Sequence, residues 1–300
     1  MREDTAYVGI DIGGTKTIAM LVTPAGNVVG RAQAPTPARQ GPRAVLDTAA
    51  GLAGQLLSGD RRTSVGIGAA GTLDPATGTV RYATDSLPGW AGTRIAAELA
   101  ARLDRRVSVD NDVNAAALGE AWTGAGRERE HLLLVAVGTG LGAGLIRYGR
   151  VEHGAHGAAG EVAHLPAPGA ERLRCGCGRH GHLEALASGT GLGAAYALAT
   201  GEQVTGRDVA ARAAAGETTA RRVLTLAGEA LGGALAGLVA LLDPQAVIVA
   251  GGAAPALFPA ATRAYAAELL PAWADVPLLP AALGDDAVAI GAARLAMEDK

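Results

Sequence analysis

"YVGIDIGGTKTIAMLVTPAGNVVGRAQAP", residues 7 to 35, decides how the rest of the chain is read. "YVGIDIGG", "TIAMLVTP" and "NVVGRAQAP" read as three consecutive strands, joined by tight turns at Gly13-Gly14 and at Gly26-Asn27. The layout returns at residues 131–154, where "HLLLVAVGTG", "AGLIRYG" and "RVEHG" again give strand, glycine turn, strand, tight turn, strand. Two copies of one opening point to two structural repeats. After the first copy comes a helix from Pro42 to about Leu57. The buried strand "SVGIGAAG" follows, then the helix "RIAAELAARL", the strand "RVSVDND" and the helix "NAAALGEAW". After the second copy, alanine-rich helices run from about 184 to 242, followed by the strand "AVIVAGG" and a last helix from about Asp286. Alternating strands and helices make the fold class α/β.

A chain of 300 residues with 49% hydrophobic content sits where one core divides into two. The expected division is an N-terminal α/β domain over 1–118, with the helix 286–300 packing back on it, and a C-terminal α/β domain over 119–285. No low-complexity linker separates the halves, which leads to an expected cleft between them, where ligands usually sit. A net charge of −3 spread along the sequence gives no basic face, so no nucleic-acid partner is expected. The apolar runs are short or broken by glycine, so no membrane span or leader is expected and the protein is placed in the cytoplasm. Cys175 and Cys177, one residue apart, make a poor disulfide, which suits a reducing compartment.

Chemistry concentrates at strand ends. In "DIGGTK", Asp11 to Lys16, Gly13 and Gly14 let backbone N–H groups approach an anion, while Thr15 offers a hydroxyl and Lys16 a charge. That suits a phosphate, although a Gly-Gly hairpin turn is also ordinary. "VGTGLGAG" repeats the arrangement with Gly138, Thr139 and Gly140, so two such turns could grip a polyphosphate from both sides. There is no GxxxxGK[ST] spacing, and "GTGLGAG" leads into a strand, which excludes the P-loop and the dinucleotide fingerprint. Gly251-Gly252 offers a third close-approach point, or a plain strand-to-helix turn. In "VDNDVNAA", Asp112 at a strand–helix junction is a general-base candidate for an alcohol attacking a phosphoryl group; Asp and Asn are equally favoured helix caps.

"DIGGTK", "GAAGTLDPATG", "SLPGW", "NDVNAAALGE", "GTGLGAGL", "AGEVAH", "CGCGRHGHLE" and "VIVAGG" stand in the order and spacing of the ROK family, and the chain resembles its glucokinase-like sugar-kinase branch. The resemblance implies an actin-like, hexokinase-type fold, with ATP bound by both glycine turns and by Gly251-Gly252. It implies Asp112 as catalytic base, Asp11 organising Mg2+ through water, and Gly71, Asn111, Asp112, Glu161, His164 and Glu184 around a sugar. It also implies a structural Zn2+ on His164, Cys175 and Cys177, with His182 replacing the family's third cysteine. His180 competes for that fourth place, and His153 or His156 is expected nearby. Four ligands close the site, which argues for structure and not hydrolysis.

The implied reaction is ATP-dependent phosphoryl transfer to a hydroxyl of a hexose-like acceptor: glucose, mannose, an N-acetylhexosamine or a cyclitol. Polyphosphate is an alternative donor, and a homodimer or homotetramer is expected. Ser86, where an Asn is usual, and Ala163, where a Gly is usual, depart from the pattern beside the sugar pocket. The competing readings are a sugar-sensing regulator and a catalytically idle sugar-binding protein. With six residues before the first strand, no helix-turn-helix is expected, and the intact turns and Asp112 favour the kinase.

Overall fold

The computed structural model describes residues 6–57, 63–83, 86–273 and 275–298. In chain order the elements are β1 (Tyr7–Ile12), β2 (Lys16–Val22), β3 (Val28–Pro35), α1 (Pro42–Leu56), β4 (Val65–Ala69), β5 (Thr72–Asp74) and β6 (Thr79–Tyr82). Then come α2 (Ile95–Leu103), β7 (Val107–Asn111), α3 (Asp112–Trp122), β8 (Leu132–Val137), β9 (Leu141–Arg147), β10 (Arg150–Val151) and α4 (Gly189–Thr200). The chain continues through α5 (Gly206–Ala214), α6 (Thr218–Leu242), β11 (Ala246–Ala250), α7 (Ala254–Glu268), β12 (Leu278–Pro280) and α8 (Ala287–Glu298). Two compact units result: Met1–Glu130 with Gly144–Ala159 and Ala282–Lys300, and His131–Ala143 with Gly160–Ala281. The division falls at 130/131 instead of 118/119, and residues 144–159 group with the first unit. Residues 1–5 of the expected first domain, and 299–300 of the expected last helix, lie outside the described residues.

The first sheet runs β3-β2-β1-β4-β7, antiparallel from β3 to β1 and parallel from β1 to β7. Strands covered on both faces read as near-continuous apolar runs, and β4 ("VGIGA") is buried throughout. The two-residue period sorts β2 between two cores: Ile18, Met20 and Val22 join residues of α8, while Ala19 and Leu21 join the core holding α1. Pro42 opens α1 at its first turn, where no N–H is missed, and Val45, Leu46, Ala49, Leu52 and Ala53 form its buried stripe. On the other face α8 lies against β1, β4 and α3 at backbone distance. A Cβ on Gly9 or Gly66 would strike the carbonyl oxygens of Ala289 or Ala292, and one on Gly291 that of Ala115. Asp11 shares the face of β1 with Gly9.

The second sheet repeats the order: β10-β9-β8-β11-β12, with β8, β11 and β12 parallel. The repeat expected from residues 131–154 is therefore present as topology. Its core takes Leu133, Val135 and Val137 from β8 and a stripe of α6 comprising Val223, Ala227, Leu231, Leu235 and Val239. Gly228 and Gly232 let α7 approach α6 until added Cβ atoms would meet the backbone at Leu257 and Ala261. Among the described residues α6 is long and apolar enough to cross a membrane, yet half of its apolar window is buried, the composition of a core helix. The hairpin β5–β6, α7 and β12 were not expected.

Candidate active site and metal centre

The β7-to-α3 corner sets the geometry of the first unit's site. Asn111, not Asp112, is the cap: its Oδ1 accepts from the Val113 N–H (2.8 Å) and the Asn114 N–H (3.3 Å), and its Nδ2 donates to the Gly71 carbonyl at 2.9 Å. Gly71 has φ +110°, and a Cβ there would lie 2.6 Å from the Tyr82 carbonyl, so its residue type is dictated by the turn that presents its carbonyl to Asn111. Asp112 is the first residue of the helix, with Oδ1 accepting from the Val113 N–H at 3.0 Å. Burial pushes its carboxyl above the usual carboxylate range, against the pull of the Val113 N–H and Asn111. Asp110, which the sequence reading passed over, is buried one residue before the cap.

Asp11 lies within electrostatic reach of Asp112. Its pKa is pushed up to about 7, first by burial and then by the Asp112 charge; Lys16 pulls it down and Asp285 raises it further. The turn after it closes with the Gly13 N–H donating to the Lys16 carbonyl (3.1 Å), and the Thr36 N–H donates to the Thr15 carbonyl (3.0 Å). Lys16 Nζ holds Asp285 Oδ2 at 2.9 Å. Ser86 sits on Gly14, where a Cβ would be 3.1 Å from that of Ser86, so position 86 packs on the phosphate-type turn.

In the second unit the Gly138 N–H donates to the Gly140 carbonyl at 2.9 Å, closing the Gly-Thr-Gly turn over the start of α4. Gly189 N donates to Gly138 O (2.8 Å), and the Thr190 hydroxyl to Thr139 O (2.9 Å). Glu184 lies under this turn: its Oε2 accepts from the Leu141 N–H at 3.2 Å, and a Cβ on Gly140 would be 2.8 Å from it. Its Oε1 takes the Gly176 N–H and the Cys175 thiol, each at 3.2 Å. Gly251, at φ +95°, packs on the backbone of Val137 at the end of β8, while Gly252 opens onto free space at the start of α7.

The metal-type residues converge. His164, Cys175, Cys177 and His182 each bring one ligand atom into a group spanning at most 4.8 Å. Cys175 Sγ stands 3.6 Å from His164 Nδ1, and Cys177 Sγ 3.3 Å from His182 Nδ1. A tetrahedral zinc with its usual bond lengths places sulfur and nitrogen ligands about 3.5 Å apart, so the donor set and spacing fit. Ala167, Ala170, Leu173 and Leu183 anchor the loop in the second core. Glu161 Oε2 lies 3.7 Å from His164 Nε2, the ring nitrogen facing away from Cys175. His180, His153 and His156 are not in the group. His153, expected near it, instead pairs with Asp110, Nε2 to Oδ2 at 2.7 Å.

The ROK family model matches residues 7–299. The chain belongs to the ROK family. A glucokinase of Halalkalibacterium halodurans is 32% identical over 96% of this chain and 94% of its own length. An N-acetyl-D-glucosamine kinase of Shigella boydii is 35% identical over 98% of this chain and 100% of its own. Among solved structures, a ROK glucokinase from Streptomyces griseus in complex with glucose and AMPPNP is 30% identical, covers 98% of this chain and 99% of its own, and superposes with a TM-score of 0.80. The α/β fold of this ROK member is the actin-like, hexokinase-type one.

Proposed function

We propose that this ROK protein is an ATP-dependent sugar kinase that transfers the γ-phosphoryl group of ATP to a hydroxyl of a hexose or hexose-like acceptor. The observation that carries the reading is the Asp112 carboxyl, lifted above the usual range by burial and fixed at the N-terminus of α3 by the Asn111 cap. The ATP analogue and glucose bound to the Streptomyces relative support donor and acceptor class, and the N-acetyl-D-glucosamine kinase extends the acceptor class to amino sugars.

The acceptor hydroxyl donates a hydrogen bond to Asp112. As its oxygen bonds to the γ-phosphorus, its proton passes to the Asp112 carboxylate, the bond from phosphorus to the β–γ bridging oxygen breaks, and ADP leaves. A raised pKa makes Asp112 a stronger proton acceptor than an ordinary aspartate. Gly71, Asn111, Glu161, His164 and Glu184 are the acceptor ligands in this reading. Backbone N–H groups of the Gly13-Gly14 and Gly138–Gly140 turns, Thr15, Lys16 and Gly252 face phosphate oxygens.

A divalent cation fits Asp11: the repulsion from Asp112 that helps raise its pKa would be relieved by a positive ion, and carboxylate oxygens suit Mg2+. When bound, Mg2+ neutralises developing phosphate charge. Zinc, held by His164, Cys175, Cys177 and His182, would stiffen the loop that carries Glu161 and Glu184 at its ends.

The test is ADP release from MgATP across glucose, mannose, N-acetylhexosamines and cyclitols, beside D112N. Turnover is expected with at least one sugar, and D112N should lose about 10²–10⁴ of it. A wild-type protein that binds sugars without turning any over refutes the reading.

A further inference from the structure

The catalytic corner is held by a partner from outside its own strand and helix. Asp110 Oδ1 accepts from the Asn111 N–H at 2.7 Å and from Asn114 Nδ2 at 2.9 Å, so its carboxylate brackets Asp112 from both sides in sequence. Its other oxygen, Oδ2, meets His153 Nε2 at 2.7 Å. His153 comes from the segment after β10, which packs on α3. Asp110 is buried, Asn114 is buried beside it, and the His153 side chain is 32% exposed.

We propose that His153, acting through Asp110, is the positioning residue that aims Asp112 at the acceptor hydroxyl; this rests on the kinase reading above. A buried carboxylate requires a counter-charge or a full set of donors, and losing one partner of a buried pair is costly. Without the His153 ring, Asp110 relieves its stripped oxygen by turning. That response loosens the bonds to Asn111 and Asn114, between which Asp112 is strung. Asn111 transmits the change directly, because the residue whose N–H Asp110 holds is the one that caps α3. Rates fall steeply when a catalytic group moves by a fraction of an ångström, whereas binding of the acceptor by other groups is spared.

Protonation supports the same assignment. The Asp110 carboxylate holds His153 above its ordinary histidine value, against partial burial, and Glu152 adds in the same direction. The charged groups acting on the ring are thus Asp110 from β7 and Glu152 from its own segment. A histidine raised in this way gives its full ion-pair contribution below the unperturbed value and loses it as pH rises through the raised one.

The experiment compares wild type, H153A and H153Q for kcat and acceptor KM between pH 6 and 9, with melting temperature as a control. H153A should lower kcat about ten- to hundred-fold, with a smaller rise in acceptor KM because Asn111 is one acceptor ligand among several. H153Q, whose side-chain N–H can still donate to Asp110, should recover most of kcat and lack the alkaline decline expected of wild type. A folded H153A with wild-type kcat and wild-type pH profile overturns the role, as does a variant that loses only melting temperature. Absence of turnover in wild type falls on the kinase reading first and removes the positioning role with it.

Discussion

Glu120 is the sharpest place to test how the first unit is held. It is fully buried on α3, and its carboxylate accepts three backbone N–H groups: Ala282 (2.9 Å) and Leu283 (2.8 Å) on Oε1, Ala125 (2.7 Å) on Oε2. It therefore ties α3 both to its own exit turn and to the loop leading to Asp285, the partner of Lys16. In E120Q the amide keeps the volume, and its carbonyl can serve the Ala282 and Leu283 donors. The Ala125 N–H then faces an NH2 group, donor against donor. One charge-assisted bond is lost, two become neutral and one buried donor is left unmade, a cost of about 2–4 kcal/mol. E120A orphans all three donors and opens a cavity, so it should cost about 4 kcal/mol or more. Urea unfolding followed by far-UV circular dichroism measures both, through the shift in midpoint at equal slope. An E120Q midpoint equivalent to less than about 0.5 kcal/mol of change would refute the reasoning, since that is the range of an unconnected surface substitution.

Other expectations concern charge, metal and packing. Burial and the Asp112 charge raise Asp11 from 3.8 to about 7, so its charged form destabilises the fold and stability is lost as pH rises between those two values; D11N should therefore gain stability over wild type, read as a gap in urea midpoints that widens up to about pH 7 and is constant above it, while losing MgATP-dependent turnover. Purified protein should carry one zinc per chain by elemental analysis, and C175S or H182A should lose it. Chelation of wild type should lower its melting temperature by the linkage between metal binding and folding. G66A, whose methyl would strike the Ala292 carbonyl, should cost about 1–3 kcal/mol in urea unfolding, whereas G233A, with open space at its Cβ, should be neutral or stabilising.

The elements that carry their own punctuation could be read from the residues. Pro42 announced α1, Gly13-Gly14 and Gly26-Asn27 announced the first two turns, and the recurrence at 131–154 announced a second sheet of the same order. α7 was missed because Pro259 sits inside it and reads as a stop, although it lies on a helix whose buried face is supplied by α6. β12 has three residues and no period of its own. The group His164, Cys175, Cys177 and His182 was legible through the resemblance to the ROK pattern, and the structure brings the four ligand atoms together. Asp110, His153 and Glu120 were not: each looks like an ordinary polar residue until a partner distant in sequence is placed beside it. Asn111 was read as a ligand, yet most of its amide is spent on the helix cap and Gly71, a commitment that depends on the turn at Gly71.

The glycine-mediated seat of α8 on β1 and β4 also sets an order of events on the ribosome. Gly66 waits for Ala292, and at the usual pace of synthesis the intervening stretch takes roughly 10–45 s to appear. Every segment of the second unit, through Ala281, has been made before α8 emerges. The unit whose first strand is synthesised later can thus finish folding earlier, while the nascent first sheet keeps one apolar face uncovered and is, for that interval, the surface a chaperone would find.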